Sequence, residues 1–127
     1  MAHHDITTSD HLSDARCTIT GSAHGYMFEG ELVQTADGGL ARRNRDEFGP
    51  PLDKVPFEPV EPAFDLRVEL ERLRVAPPIV RPMSRVARIE MRAGDAVVTF
   101  SYARPMKGDV QTDHPADRLY AALWGWP

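Results

Sequence analysis

The chain has 127 residues, 42% of them hydrophobic and 27% charged, a balance that suits one soluble domain able to bury its own core without a disulfide or a metal. Its single cysteine excludes an intramolecular disulfide framework, and no apolar run reaches the length of a membrane span. The net charge of −4 is uneven: residues 1–63 hold 5 basic and 11 acidic groups and residues 64–127 hold 10 and 8, so the halves carry −6 and +2, and neither has the strongly basic balance of a nucleic-acid binder.

Residues 1–14 are polar and aperiodic and read as a flexible arm ahead of a single α+β domain over 15–127. His3, His4 and His11 stand there with Asp5 and Asp10. A histidine near a free amino terminus can chelate copper or nickel, but no zinc-type spacing accompanies it, and no metal site is predicted. With no apolar leader and one cysteine, the expected location is the cytoplasm.

A short strand is expected over 16–20, with Cys17 and Ile19 on one face and a break at Gly21-Ser22-Ala23-His24-Gly25. Tyr26, Phe28, Gly30 and Leu32 then alternate with Met27, Glu29, Glu31 and Val33 in a second strand, which Asp37-Gly38-Gly39 ends with turn chemistry. Residues 40–44 form a return strand. Five prolines between Phe48 and Pro62 make 48–63 a long extended loop, because each lacks a ladder donor and holds its predecessor extended. Phe57 and Val60 are its anchors.

The stretch 64–75 satisfies two periods at once. Phe64, Leu66, Val68 and Leu70 alternate with Asp65, Arg67, Glu69 and Glu71, which favours a strand with a bulge near Glu71-Arg72; Leu66, Leu70 and Leu73 also fit a helix. The strand is the expectation.

The clearest signal is the hairpin over 84–102. Ala87, Ile89 and Met91 alternate with Arg88, Glu90 and Arg92, and Ala96, Val98, Phe100 and Tyr102 with Val97, Thr99 and Ser101. A two-residue Gly94-Asp95 turn pairs Ile89 with Phe100 and Met91 with Val98, and a one-residue slip would set apolar positions against polar ones. A loop follows. Asp113 or His114-Pro115 then opens a C-terminal helix that Gly125 closes, with Leu119, Ala122, Leu123 and Trp126 toward the sheet. The expected architecture is an antiparallel sheet of about five strands with this short helix on one face.

No nucleophile elbow, phosphate loop, dinucleotide fingerprint or metalloprotease helix occurs, and no cofactor is implied. His24, held between glycines, and His114, beside Asp113 and near Asp109, are the candidate acid-base groups; each also reads as local structure, a solvated turn and a helix cap. Cys17 reads as a small buried hydrophobe. Arg42, Arg43 and Arg45 read as a self-paired basic run before Asp46 and Glu47. Of Arg81, Arg85, Arg88 and Arg92, Arg88 and Arg92 share the outer hairpin face with Glu90 between them, next to an extended Arg81-Pro82 segment, and guanidinium forks there can receive carboxylates.

In size and style the chain is similar to the small accessory and immunity-type proteins of bacteria, a resemblance of style without matched motifs. The expected function is non-enzymatic binding of a protein partner through the sheet face and the Pro-rich loop, with Arg85, Arg88, Arg92 and Phe57 in contact and the partner acidic where the arginines meet it. The alternative is a small-molecule binder or simple acid-base enzyme, with a pocket between sheet and C-terminal helix lined by Tyr26, Phe28, Phe100, Tyr102 and Trp124. Neither nucleic acid nor a membrane is an expected partner, and the oligomeric state is open.

Overall fold

Strict alternation along the chain builds one sheet, and two amphipathic segments cover one side of it. A computed structural model describes residues 12–23, 26–81 and 86–126. In chain order the elements are β1 (Leu12–Ala23), β2 (Tyr26–Thr35), β3 (Leu40–Asp46), β4 (Glu58–Pro59), α1 (Leu66–Val75), β5 (Val86–Ala93), β6 (Ala96–Ala103) and α2 (Pro115–Trp124). The six strands form one antiparallel sheet in the order β4-β3-β2-β1-β5-β6. The class is α+β, with one strand more than the sequence suggests.

β1 lies at the centre and pairs with both β2 and β5. Its register aligns inward rows: Cys17 sits between Leu32 and Met91, with Val98 beyond, and Ile19 sits between Gly30 and Ile89, with Phe100 beyond. The hairpin register is the one expected, and Gly94 takes the positive φ of 62° that the turn requires. Ile89 is fully buried, whereas Phe100 at the sheet edge is half-buried and packs against the core.

β1 begins earlier and ends later than expected. It runs from Leu12 to Ala23 rather than over 16–20, and residues 1–11, with their histidines, lie outside the described set. The glycine at 21 does not break the strand. It makes room instead: a Cβ there would meet the Phe28 ring at 2.9 Å. The Pro-rich loop is also partly regular. It holds a 3-10 turn at Leu52–Lys54 and supplies β4, in which Pro59 pairs with Ala41 at the sheet edge, where a missing N–H costs little.

The principal correction falls on 64–75, which is helical over Leu66–Val75. Asp65 caps it by accepting from Arg67 N at 2.9 Å, and Leu66, Glu69, Leu70 and Leu73, at helical spacing, are buried. In a strand Val68 would have turned inward and Glu69 outward. In the helix Val68 is 52% exposed and Glu69 only 3%, its carboxylate held by Arg72 at 3.2 Å and Arg118 at 3.6 Å.

α2 starts and stops where the sequence indicates, with His114 as N-cap, Pro115 in the first turn and Gly125 at φ 70° as C-cap. Ala116, Leu119, Tyr120 and Leu123 face the core. α1 and α2 pack beside each other on the same face of the sheet, α1 over β1, β5 and β6 and α2 over β2 and β3. Buried Gln34 ties α1 to β2, accepting from Leu66 N at 2.6 Å and donating to the carbonyls of Phe64 and Gly39 at 3.0 and 2.8 Å.

Candidate functional site

Because both helices take the inner face, the outer face is left with the alternate residue of every strand. Three rows cross it: Arg45-Glu29-Thr20-Arg88-Ser101, Arg43-Glu31-Thr18-Glu90-Thr99, and Ala41-Val33-Arg16-Arg92-Val97. Cross-strand neighbours on one face of an antiparallel pair stand close enough for opposite charges to pair.

On the β2-β3 half they do. Arg45 meets Glu29 at 3.0 Å, and Arg43 meets buried Glu31 at 2.7 Å. The Pro-rich loop folds over this half: the Arg43 guanidinium lies 4.3 Å from the centre of the Phe57 ring and bonds the Val55 carbonyl at 3.5 Å. Phe57 is thus an internal anchor, half-buried in its own chain. Arg42, on the inner face, pairs with Glu58 at 3.1 Å. The basic run is self-paired, though through strands rather than through Asp46 and Glu47.

Among the described residues the β1-β5-β6 half is open. Arg16 reaches Glu31 at 3.2 Å and Arg92 reaches Glu90 at 3.5 Å, both with more than half of the arginine side chain exposed. Arg88 is exposed and has no ion-pair partner among the described residues. A shallow depression of about 230 Å³, lined by Thr18, Thr20, Arg88 and Glu90, marks the spot. Exposed Val86 and Val97 add apolar surface to this half. The structure therefore sets Arg88 and Arg92 on one face; Arg85 lies outside the described residues.

Arg81 does not join them. Its guanidinium is turned inward onto Asp117, 3.2 Å from Nη1 to Oδ1, and bonds the Ala103 and Asp109 carbonyls at 2.6 and 3.2 Å. Asp117 also accepts from Gln111 N at 2.8 Å. The sequence offered an acid near the start of α2 but nothing that joined it to Arg81.

Of the two candidate histidines, His24 lies outside the described residues. His114 is buried, and both ring nitrogens are occupied: Nδ1 accepts from Ala116 N at 3.1 Å and Nε2 donates to the Pro77 carbonyl at 2.8 Å. This fixes the neutral Nε2–H tautomer and leaves no lone pair for a substrate proton. Cys17 is fully buried, and burial pushes its thiol far above the ordinary range, so no thiolate forms at neutral pH.

The pocket expected between sheet and α2 is occupied by side chains where its lining is described. Phe28 packs edge-on to Trp124 and Tyr120, at centroid separations of 5.3 and 6.2 Å, and Phe100 lies 6.3 Å from the His114 ring. A cleft of about 490 Å³ lies elsewhere, between Val60–Phe64 and the outer side of α2, with Arg118 and Trp126 in its wall. Among the described residues no cluster of three or more histidine, cysteine or acidic side chains could hold a metal, and no helix is long and apolar enough to cross a membrane.

The chain matches no protein-family model and no curated protein. Its function is therefore argued from the geometry.

Proposed function

We propose that this chain is a non-enzymatic protein-binding module, of the accessory or inhibitor kind, that offers the open β1-β5-β6 half of its outer face to an acidic protein partner. The observation that carries this reading is Arg88. A guanidinium on an interior strand, with no ion-pair partner among the described residues and beside Thr18 and Thr20, can take a carboxylate by two parallel hydrogen bonds from a backbone that the sheet already holds in place. Arg92 stands two residues along the same strand and shares its charge with a half-exposed Glu90, which a partner carboxylate would displace. His114 is engaged at both ring nitrogens in holding α2, and burial keeps the Cys17 thiol un-ionised.

The test is comparative capture from native lysate. Arg88→Glu with Arg92→Glu should leave stability within about 0.5 kcal/mol, because both positions are exposed. The same change should remove a specifically captured protein from the eluate and slow its association most at low salt. His24→Ala should leave capture intact. If His24→Ala abolishes activity while the double arginine change does not, the face is not the site.

A further inference from the structure

The sheet has two edges of very different character. β4 is two residues long, contains Pro59 and carries exposed Glu58. Short, charged, proline-bearing edges resist pairing with another strand. β6 has none of these devices: its eight residues, Ala96-Val97-Val98-Thr99-Phe100-Ser101-Tyr102-Ala103, include no charge and no proline, and are rich in strand formers. Among the described residues no strand pairs with its outer side.

The backbone pattern there follows from the turn. A two-residue loop makes Ala93 and Ala96 a hydrogen-bonded pair, so Ala96, Val98, Phe100 and Tyr102 bond to β5 while Val97, Thr99, Ser101 and Ala103 aim their N–H and C=O groups outward. The Ala103 carbonyl accepts from Arg81 Nη1 at 2.6 Å, which ends the free row at that point.

We propose that β6 pairs antiparallel with β6 of a second copy about a twofold axis at Thr99, joining two sheets into one. Three features select a second copy as the occupant. An uncharged strand opposes no like charges when it meets itself, and this register sets Thr99 against Thr99 and Val98 against Phe100, a hydroxyl pair and an aromatic to β-branched pair of the favourable kind, with Val97 against Ser101. The extent matches as well: Asp95 in the turn of one copy comes opposite Ala103 of the other, where Arg81, already paired with Asp117, holds the carbonyl and ends the ladder. Finally, Val98 and Phe100 are only partly buried in the single chain, and this register covers each with the other from the second copy.

An edge ladder alone buries less than the roughly 800 Å² per partner of a standard interface, so the dimer is reversible. The experiment is sedimentation of the purified chain over a concentration series, which needs no partner protein and so is independent of the outer-face reading. The mass should rise from monomer to dimer. Thr99→Lys, which opposes two ammonium groups on the axis, should hold it at monomer. Val97→Lys together with Ser101→Glu should keep the dimer, because position 97 faces position 101 of the other copy and the new charges are opposite. In the wild type, amide exchange at Val97, Thr99 and Ser101 should slow as concentration rises, a readout that needs no variant. A wild-type chain that stays monomeric at about 100 µM, a dimer indifferent to Thr99→Lys, a paired variant that dissociates, or exchange independent of concentration would each overturn the proposal.

Discussion

The Arg81 guanidinium meets the carboxylate of Asp117 with both terminal nitrogens, and neither side chain has more than a tenth of its surface exposed. Asp117 lies in the first turn of α2, where the helix dipole favours an anion, and Arg81 also bonds the carbonyls of Ala103 and Asp109. One ion pair thus joins the segment after α1, the end of β6, the loop beyond it and the start of α2. Removing one partner leaves the other charged and buried. Asp117→Ala and Arg81→Leu should each cost about 3–5 kcal/mol, and the double change much less than their sum. Urea melts of the four proteins measure the coupling; strictly additive losses would show that the pair contributes through its separate backbone contacts.

His114 provides a second check on how the helix is held. His114→Ala removes the N-cap acceptor and should lower stability by about 1–2 kcal/mol, while His114→Asn, which can still accept from Ala116 N, should lose less. Nitrogen chemical shifts at neutral pH should show Nε2 protonated and Nδ1 bare. A protonated Nδ1 would mean that α2 is capped some other way.

Gly30 is small because α2 presses on β2. A Cβ at that position would lie within 2.9 Å of Leu123 Cγ and closer still to its methyl groups, and Leu123 is fully buried. Gly30→Ala should therefore cost about 1–3 kcal/mol, as overpacking does. Adding Leu123→Val should recover part of the loss, measured as a rise in urea midpoint over the single variant. If Gly30→Ala is neutral, the helix moves freely over the sheet.

How much of this was legible in the chain depended on whether a signal was local. The β5-β6 hairpin was, because a strict two-residue alternation on both sides of Gly94-Asp95 leaves one register that puts Ile89 and Met91 inside. So was α2, whose Pro115 and Gly125 act through their own backbone preferences. Over 64–75 the alternation from Phe64 to Leu70 competed with the helical spacing of Leu66, Leu70 and Leu73, and it misled because Leu66 and Leu70 belong to both periods; the Asp65 cap and the burial of Leu73 appear only in the folded chain.

The open Arg88 shows the same division. Sequence alone set Arg88 and Arg92 on the polar side of β5, since the pleat allows nothing else. That neither helix covers this side was decided by packing, which sent both to the other face. Tertiary structure also supplied the partners that hold Arg43 and Arg81. Glu31 reaches Arg43 across a strand pair, Phe57 stacks on Arg43 from the Pro-rich loop, and Asp117 meets Arg81 from the far side of the hairpin. Alternation and turn residues act over a few positions and can be read directly. A buried charge is stable only beside a counter-charge that the fold brings to it, so which arginines hold the molecule together and which face outward is settled only when the chain closes.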